Sequence, residues 1–238
     1  IVFVCLPPED EQWAEKMFTC LATTMVEVKA LPAMCEFVSL RAEAEMFEGL
    51  PLITLQGSPL YGWNLVIKRV LDVVGASAAL VVFSPVLCAI AALVKLTSPG
   101  PVFFRQLRMG LDGQAFEMLK FRSMKLDAES ETGPVWTQPN DDRRTPIGAF
   151  LRRTSLDELP QFWNVLRGEM SIVGPRPERP EFIARFRETL PQYMLRHKMK
   201  AGITGWAQIN GWRGNTSLER RIEHDLYYIE HWSIWFDF

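Results

Sequence analysis

Val73-Val-Gly-Ala-Ser-Ala-Ala-Leu-Val-Val-Phe-Ser-Pro-Val-Leu-Cys-Ala-Ile-Ala-Ala-Leu-Val94 is a run of 22 residues without a charge, and its reading decides what kind of molecule this is. At about 1.5 Å per residue it makes roughly 33 Å of helix, enough for a bilayer core of about 30 Å. Ser84-Pro85 occupies the twelfth and thirteenth places, the midpoint. A proline there frees the carbonyl of Val81 and costs about 3 kcal/mol in a straight helix. A neighbouring Ser hydroxyl can re-satisfy such a break. Lys68 and Arg69 precede the run, and Lys95, Arg105 and Arg108 follow it. Positive charge on both sides keeps both ends on the cytoplasmic side. The simplest geometry is a re-entrant helix–break–helix over residues 70–96, with Ser84 and Pro85 at its turning point. Each arm of about eleven residues then reaches about 16 Å, half a bilayer. A kinked span and a buried soluble helix are the two alternatives.

Around this run the composition is globular: 48% hydrophobic and 23% charged over 238 residues, which excludes disordered and collagen-like chains. That length allows one large domain or two small ones. Residues 1–64 carry 9 acids against 3 bases, and residues 65–238 carry 19 acids against 23 bases. The second part therefore faces anions. Its acids are interspersed and its excess of positive charge is small, so no nucleic-acid partner is expected. The four Cys (5, 20, 35, 88) form no C-x-x-C pair and read as free thiols of a reducing compartment. The three His (197, 224, 231) are too dispersed for a His-built metal site. The opening on Ile1, without Met, reads as a piece of something longer.

Upstream, Ile1–Leu6 and Val26–Leu31 read as strands around an amphipathic helix at 9–23, with a third strand at Leu52–Leu55. Strand, helix, strand is the rhythm of a parallel α/β sheet. No G-x-G-x-x-G is present, so nothing indicates a dinucleotide, and a structural or regulatory half-domain is preferred. Gln56-Gly-Ser-Pro-Leu60 is the linker out of it.

Downstream, Val102–Met109 and Gln114–Arg122 read as a hairpin around Gly110-Leu-Asp-Gly113. Lys120 and Arg122 lie two apart and project to one face, a pattern suited to a phosphate clamp as well as to a solvated edge. Next comes Arg152-Arg-Thr-Ser-Leu-Asp-Glu-Leu-Pro-Gln161. Ser155-x-x-Glu158 has the form of a capping box, and Gly168 that of a helix C-terminal glycine. Asp157 and Glu158 then need be only first-turn acids. The functional alternative makes one carboxylate a nucleophile for phosphoryl transfer and its neighbour a metal ligand, with Arg152 and Arg153 neutralising incoming phosphate. In Pro175-Arg176-Pro177 two fixed φ angles leave Arg176 little backbone freedom, a way to aim a guanidinium at phosphate or simply a rigid turn. Phe182, Ile183, Phe186 and Leu190 share a helix face for the membrane surface or for the core. Trp206, Trp212, Trp232 and Trp235 fit either setting.

In order along the chain stand Lys68-Arg-Val-Leu-Asp72, Ser84-Pro85, Ser98-Pro-Gly-Pro-Val-Phe-Phe-Arg-Gln106, Lys120-Phe-Arg-Ser-Met124, Thr154-Ser-Leu-Asp-Glu-Leu-Pro-Gln161, Ser171-Ile-Val-Gly-Pro-Arg-Pro177 and Gly202-Ile-Thr-Gly-Trp-Ala-Gln208. Together they resemble the bacterial sugar transferases, the monotopic polyprenyl-phosphate hexose-1-phosphate transferases, over about residues 62–238. Residues 1–60 look like the tail of a Rossmann-like domain that precedes the catalytic part in larger members. Ala201 departs from the pattern, where Pro commonly precedes Gly-Ile-Thr-Gly. The chain also stops before the family's final apolar or amphipathic segment.

The resemblance implies an α+β, mostly helical monotopic membrane domain at 61–238, preceded by a truncated Rossmann-like α/β segment. It implies transfer of a hexose 1-phosphate, glucose favoured and galactose the alternative, from a UDP-sugar to undecaprenyl phosphate, releasing UMP. The product starts exopolysaccharide or O-antigen assembly. Carried over by motif, Asp157 is the nucleophile of a covalent phosphosugar intermediate and Glu158 binds Mg²⁺. Lys120, Arg122, Arg153 and Arg176 hold phosphate. The expected setting is the cytoplasmic face of a bacterial inner membrane, with membrane lipid as partner and a homodimer allowed. A non-catalytic nucleotide-sugar-binding regulator is the rival of another class; the presence of Asp157, Glu158, Lys120 and Arg176 together favours the enzyme.

Overall fold

The computed structural model describes residues 2–4, 16–17, 20–21, 28–30, 43–47, 50–54, 60, 62–126, 128, 142–214 and 216–238. In its first part, β1 (Val2–Val4), β2 (Val28–Ala30), β3 (Glu43–Phe47) and β4 (Leu50–Thr54) form one sheet in the order β1-β2-β4-β3. β1 and β2 are parallel, as the alternation implied. β4 instead pairs antiparallel with β2, and β3 is an unforeseen strand that pairs with β4, Phe47 opposite Leu50. The sheet is mixed because a two-residue connection can only reverse the chain, whereas a parallel return needs a long crossover. Most of the helix expected over 9–23, and most of the 56–60 linker, lie outside the described residues; Lys16, Met17, Cys20 and Leu21 are helical.

The apolar run forms α1 (Gly62–Val82) and α2 (Ser84–Thr97), bent by 62° at Phe83. Ser84 Oγ donates to the Val81 carbonyl at 2.8 Å, catching the acceptor that Pro85 releases. No single helix among the described residues is long and apolar enough to cross a membrane, although the bent pair is when taken together. Val74, Val81, Val82, Val86 and Leu93 point outward around the bend, and Leu96 is 83% exposed.

The arms are 21 and 14 residues rather than eleven each, since α1 begins ahead of the charged residues read as its flank. Lys68 and Arg69 accordingly do not act as a solvated flank. Lys68 is buried against Asp237 (2.5 Å) and the Val173 carbonyl (3.2 Å), and Arg69 donates to the carbonyls of Val165 and Leu166. Buried Asp72 accepts from Ser171 Oγ and the Ile172 N–H, both at 3.0 Å. The middle of α1, at Lys68, Asp72 and Ala76, thus packs on the folded core, while its first turn and the apolar residues around the bend are exposed.

β5 (Phe103–Met109) and β6 (Ala115–Phe121) form the expected hairpin, Phe103 opposite Phe121 and Met109 opposite Ala115. After it come α3 (Pro146–Thr154), capped where Thr145 Oγ1 accepts from the Gly148 N–H, and α4 (Gln161–Arg167). Then follow β7 (Ser171–Val173), α5 (Pro180–Thr189), a 3-10 segment (Pro191–Lys198), β8 (Gly202–Thr204), α6 (Trp206–Ile209), α7 (Leu218–Glu230) and α8 (Ile234–Asp237). β7 and β8 are parallel and approach so closely that a Cβ on Gly202 would stand 2.1 Å from the Gly174 nitrogen, which accounts for glycine at both positions. Buried Ala201 joins the core beside Met170 and Val165.

The apolar face of α5 is settled for the core: Ile183 is buried with Tyr193, Ile222 and Ile229, and Phe186 and Leu190 pack on that cluster. It is therefore not a membrane-surface face. Trp232 is buried and Trp206 packs on Phe236, while Trp235 is exposed. The whole is α+β and mostly helical.

Candidate active site

The motif Thr154–Gln161 is not the start of one capped helix. Ser155 terminates α3 in the left-handed region (φ 57°), where its N–H bonds back to Leu151 and Arg152 and its side chain makes no cap bond. The capping box is therefore absent. A 3-10 turn, Leu156–Glu158, follows, and α4 starts only at Gln161. Pro160 explains the delay, since it lacks the N–H that would continue a helix from the preceding turn. Residues i and i+3 eclipse in a 3-10 turn. Leu156 and Leu159 both pack on the cluster of Phe121, Leu151, Ile90 and Val94, leaving Asp157 and Glu158 to turn toward β6. Gly168 ends α4 at φ 85°, as expected.

One oxygen of Glu158, Oε1, accepts from Lys120 Nζ at 2.7 Å and from Arg176 Nη2 at 2.8 Å. Arg176 Nη1 donates to Gln208 Oε1 at 2.7 Å, and Gln208 Nε2 donates to the Ile203 carbonyl. Four segments far apart in the chain meet here: β6, the Asp157-Glu158 turn, the Pro-Arg-Pro loop and α6. Gln208 was quoted within its motif without a role. Only the fold shows that it fixes the second arm of the Arg176 guanidinium.

Burial by itself raises the Glu158 carboxyl, but Arg176 and Lys120 outweigh it and hold Glu158 far below the usual carboxylate range. Asp157 is 6% exposed and shifts the other way: burial raises it, Lys120 and Arg152 draw it down, and the charge of Glu158 adds to the rise. Burial also lowers the Lys120 ammonium, helped by Arg176 and Arg108 and opposed by Glu158. Neighbouring carboxyls pushed in opposite directions is the pattern that separates a reactive group from an electrostatic one.

Asp157 faces a cavity of about 330 Å³ whose lining, among the described residues, holds nine Lys and Arg side chains against two carboxylates, Asp157 and Glu178. Phe103, Phe104 and Phe182 supply its apolar wall. Such a space suits a polyanion carrying several phosphate oxygens. Lys120, Arg122, Arg152 and Arg176 line it; Arg153 is exposed and lies outside the lining. Arg122 reaches the cavity, yet its guanidinium donates to Ser98 Oγ (2.7 Å), the Ser98 carbonyl (2.8 Å) and the Pro99 carbonyl (2.6 Å). It thereby ties the exit of α2 to the end of β6. Arg108, read from sequence only as a flanking charge, also lines the cavity; its guanidinium is pushed down to about 10, chiefly by burial.

No group of three or more His, Cys, Asp or Glu gathers among the described residues as a metal cage. Both hydrogen bonds of the Glu158 carboxylate fall on Oε1, so Oε2 and Asp157 are the carboxylate oxygens at hand for a divalent ion. That donor set fits Mg²⁺, which commonly takes one or two carboxylates and completes its shell with substrate phosphates and water.

The family description "Bacterial sugar transferase" matches residues 63–238. A UDP-glucose:undecaprenyl-phosphate glucose-1-phosphate transferase of Escherichia coli K12 is 49% identical over 99% of this chain and 52% of its own length. A UDP-N-acetylgalactosamine-undecaprenyl-phosphate N-acetylgalactosaminephosphotransferase of Aeromonas hydrophila is 40% identical over 95% of this chain and 53% of its own. An exopolysaccharide production protein of Rhizobium leguminosarum is 46% identical over 73% of this chain and 90% of its own. The chain spans about half the length of the first two.

Proposed function

The chain belongs to the bacterial sugar transferase family, and we propose that it carries glucose 1-phosphate from UDP-glucose to undecaprenyl phosphate by way of Asp157. The observation that carries this reading is the buried, upshifted Asp157 carboxyl opening onto a cavity whose described lining is rich in Lys and Arg. An Asp carboxylate oxygen attacks the phosphorus that bears the sugar. The bond to the bridging oxygen breaks, and UMP leaves with that electron pair. A phosphate oxygen of undecaprenyl phosphate then attacks the same phosphorus, and the carboxylate of Asp157 departs unchanged. Neither step needs a proton. Glu158 does not act as the attacker, because its charge is spent on holding Lys120 and Arg176 in place. Those two cations, with Arg152 and Arg108, neutralise the phosphates that would otherwise repel an incoming carboxylate. Asp157 and Glu158 Oε2 would hold Mg²⁺, which when bound neutralises diphosphate charge.

Glucose is preferred over galactose because the relatives from Escherichia coli, Klebsiella pneumoniae and Xanthomonas campestris are named for UDP-glucose. The acceptor is a lipid, so the site belongs at a membrane surface. The projecting bent pair α1–α2, with its outward Val and Leu side chains, supplies a wedge of the right shape. A re-entrant placement keeps both ends on the cytoplasmic side, where the nucleotide sugar is. We assign residues 1–60 to a separate preceding unit and residues 61–238 to the catalytic unit.

Intact mass spectrometry after mixing the protein with UDP-glucose tests the reading. We expect an added phosphohexose in the wild-type protein and none in Asp157→Asn. An adduct that persists in Asp157→Asn moves the nucleophile elsewhere.

A further inference from the structure

The loop that carries Arg176 cannot hold itself. Pro175 and Pro177 have no N–H, so the segment is fixed by donors that reach its carbonyls from other elements. The Gly202 N–H donates to Pro175 O at 2.9 Å, Arg108 Nη1 to Pro177 O at 3.1 Å, and Arg196 Nη2 to Arg176 O at 2.9 Å. The last donor is unusual. Arg196 is 1% exposed, lies in the 3-10 segment Pro191–Lys198, and is absent from the lining of the Asp157 cavity. Its charge is matched by Asp225 of α7, equally buried, at 2.6 Å, and its other arm reaches Tyr193 Oη at 3.3 Å. Taking both ions out of water is costly unless their geometry is good. A neutral donor would serve a merely structural contact to a carbonyl. A planar guanidinium whose Nη2 lies against both the Asp225 carboxylate and the Arg176 carbonyl does more, because it sets the direction of the donor as well as its presence.

We propose that Asp225 and Arg196 form a positioning pair for the reaction: Asp225 orients Arg196, Arg196 pins the backbone of Arg176, and Arg176 thereby presents its guanidinium to Glu158, Gln208 and the substrate phosphate. This rests on the phosphosugar-transfer reading above, but it is testable apart from it. Neither residue lines the Asp157 cavity, so the pair acts through Arg176 alone. Arg196→Lys keeps the charge and loses the second arm, and Asp225→Asn keeps the shape and loses the charge.

The experiment is a double-mutant cycle on the full chain in lipid nanodiscs, with Arg196→Lys and Asp225→Asn made in the wild-type and the Arg176→Lys backgrounds. Transfer from UDP-glucose gives kcat and KM, calorimetric titration with inorganic pyrophosphate gives anion affinity, and thermal unfolding gives stability. In the wild-type background we expect each variant to lower kcat or pyrophosphate affinity about tenfold, equivalent to about 1.4 kcal/mol. In the Arg176→Lys background each should change them less than twofold, since contacting residues couple and independent ones add. Equal losses in both backgrounds, or losses that simply follow unfolding, overturn the proposal. Pyrophosphate coupling without any sugar transfer would sink the glucosyl-phosphate reading and leave the positioning pair standing.

Discussion

At Glu158 a single carboxylate oxygen accepts from both Lys120 and Arg176, while the adjacent Asp157 is left to the cavity with burial against its charge. The pH behaviour of the two differs in sign. Glu158 is depressed in the fold, so its stabilisation is present above the unfolded carboxyl value and is lost as pH falls below it. Asp157 is raised, so its ionisation opposes folding increasingly as pH rises past the unfolded value. Asp157→Asn should therefore abolish transfer yet melt no lower, or higher, than the wild type at pH 7. Scanning calorimetry checks this, and a clearly lowered melting temperature would contradict the burial argument. Glu158→Gln should cost roughly 2 kcal/mol, since two partly buried cations lose a charged acceptor. The acid limb of single-turnover adduct formation should lie above the ordinary carboxylate value of about 3.9; a limb at that value would remove Asp157 from the rate.

Among the elements, the bent pair carries the clearest link from local sequence to shape. Pro85 breaks the helix, and Ser84 Oγ takes up the Val81 carbonyl that the proline releases. Pro85→Leu should straighten α1 and α2 toward one continuous span. A Thr97→Cys reporter in sealed vesicles reads the outcome: its reaction with an impermeant maleimide should shift from the cytoplasmic side to the far side. Labelling that stays cytoplasmic would mean the bend is held by the core rather than by the proline. The helices run past the ends of the apolar stretch, because the charged residues that flank it in sequence also find partners within the fold. Lys68, Arg69 and Asp72 are inside α1, directed at β7, α4 and α8.

Across the whole molecule, that same cluster joins the bent pair to the strand that leads to Arg176. Lys68 meets Asp237 and the Val173 carbonyl, Tyr228 Oη donates to Asp237 at 2.6 Å, and Asp72 holds the start of the strand that leads to Arg176. Lys68→Met removes the cation beside buried Asp72 (3.6 Å) and partly buried Asp237 and should destabilise by about 3 kcal/mol. Adding Asp237→Asn should restore part of the loss, and thermal unfolding of the single and double variants checks it. No recovery would show that the cation does not serve Asp237.

Much of this protein was readable in its linear order. The proline at the centre of an apolar run, the hairpin around Gly110–Gly113, the glycine that ends α4 and the ordered family motifs are local signals, set by backbone sterics and nearest neighbours. The active-site partners were less legible. Lys120 and Arg176 were flagged as cations, but their convergence on one oxygen of Glu158 needs β6 and the Pro-Arg-Pro loop to be brought against the same turn. Arg122 and Arg153 carried the same charge in the sequence. The fold gave Arg122 to the Ser98 and Pro99 carbonyls and left Arg153 outside the cavity lining. Gln208, Arg196 and Asp225 had no local signal at all. Side-chain identity determines which groups can carry charge or donate a hydrogen bond, whereas only tertiary packing decides which of them lose their water together, and that shared desolvation makes the site.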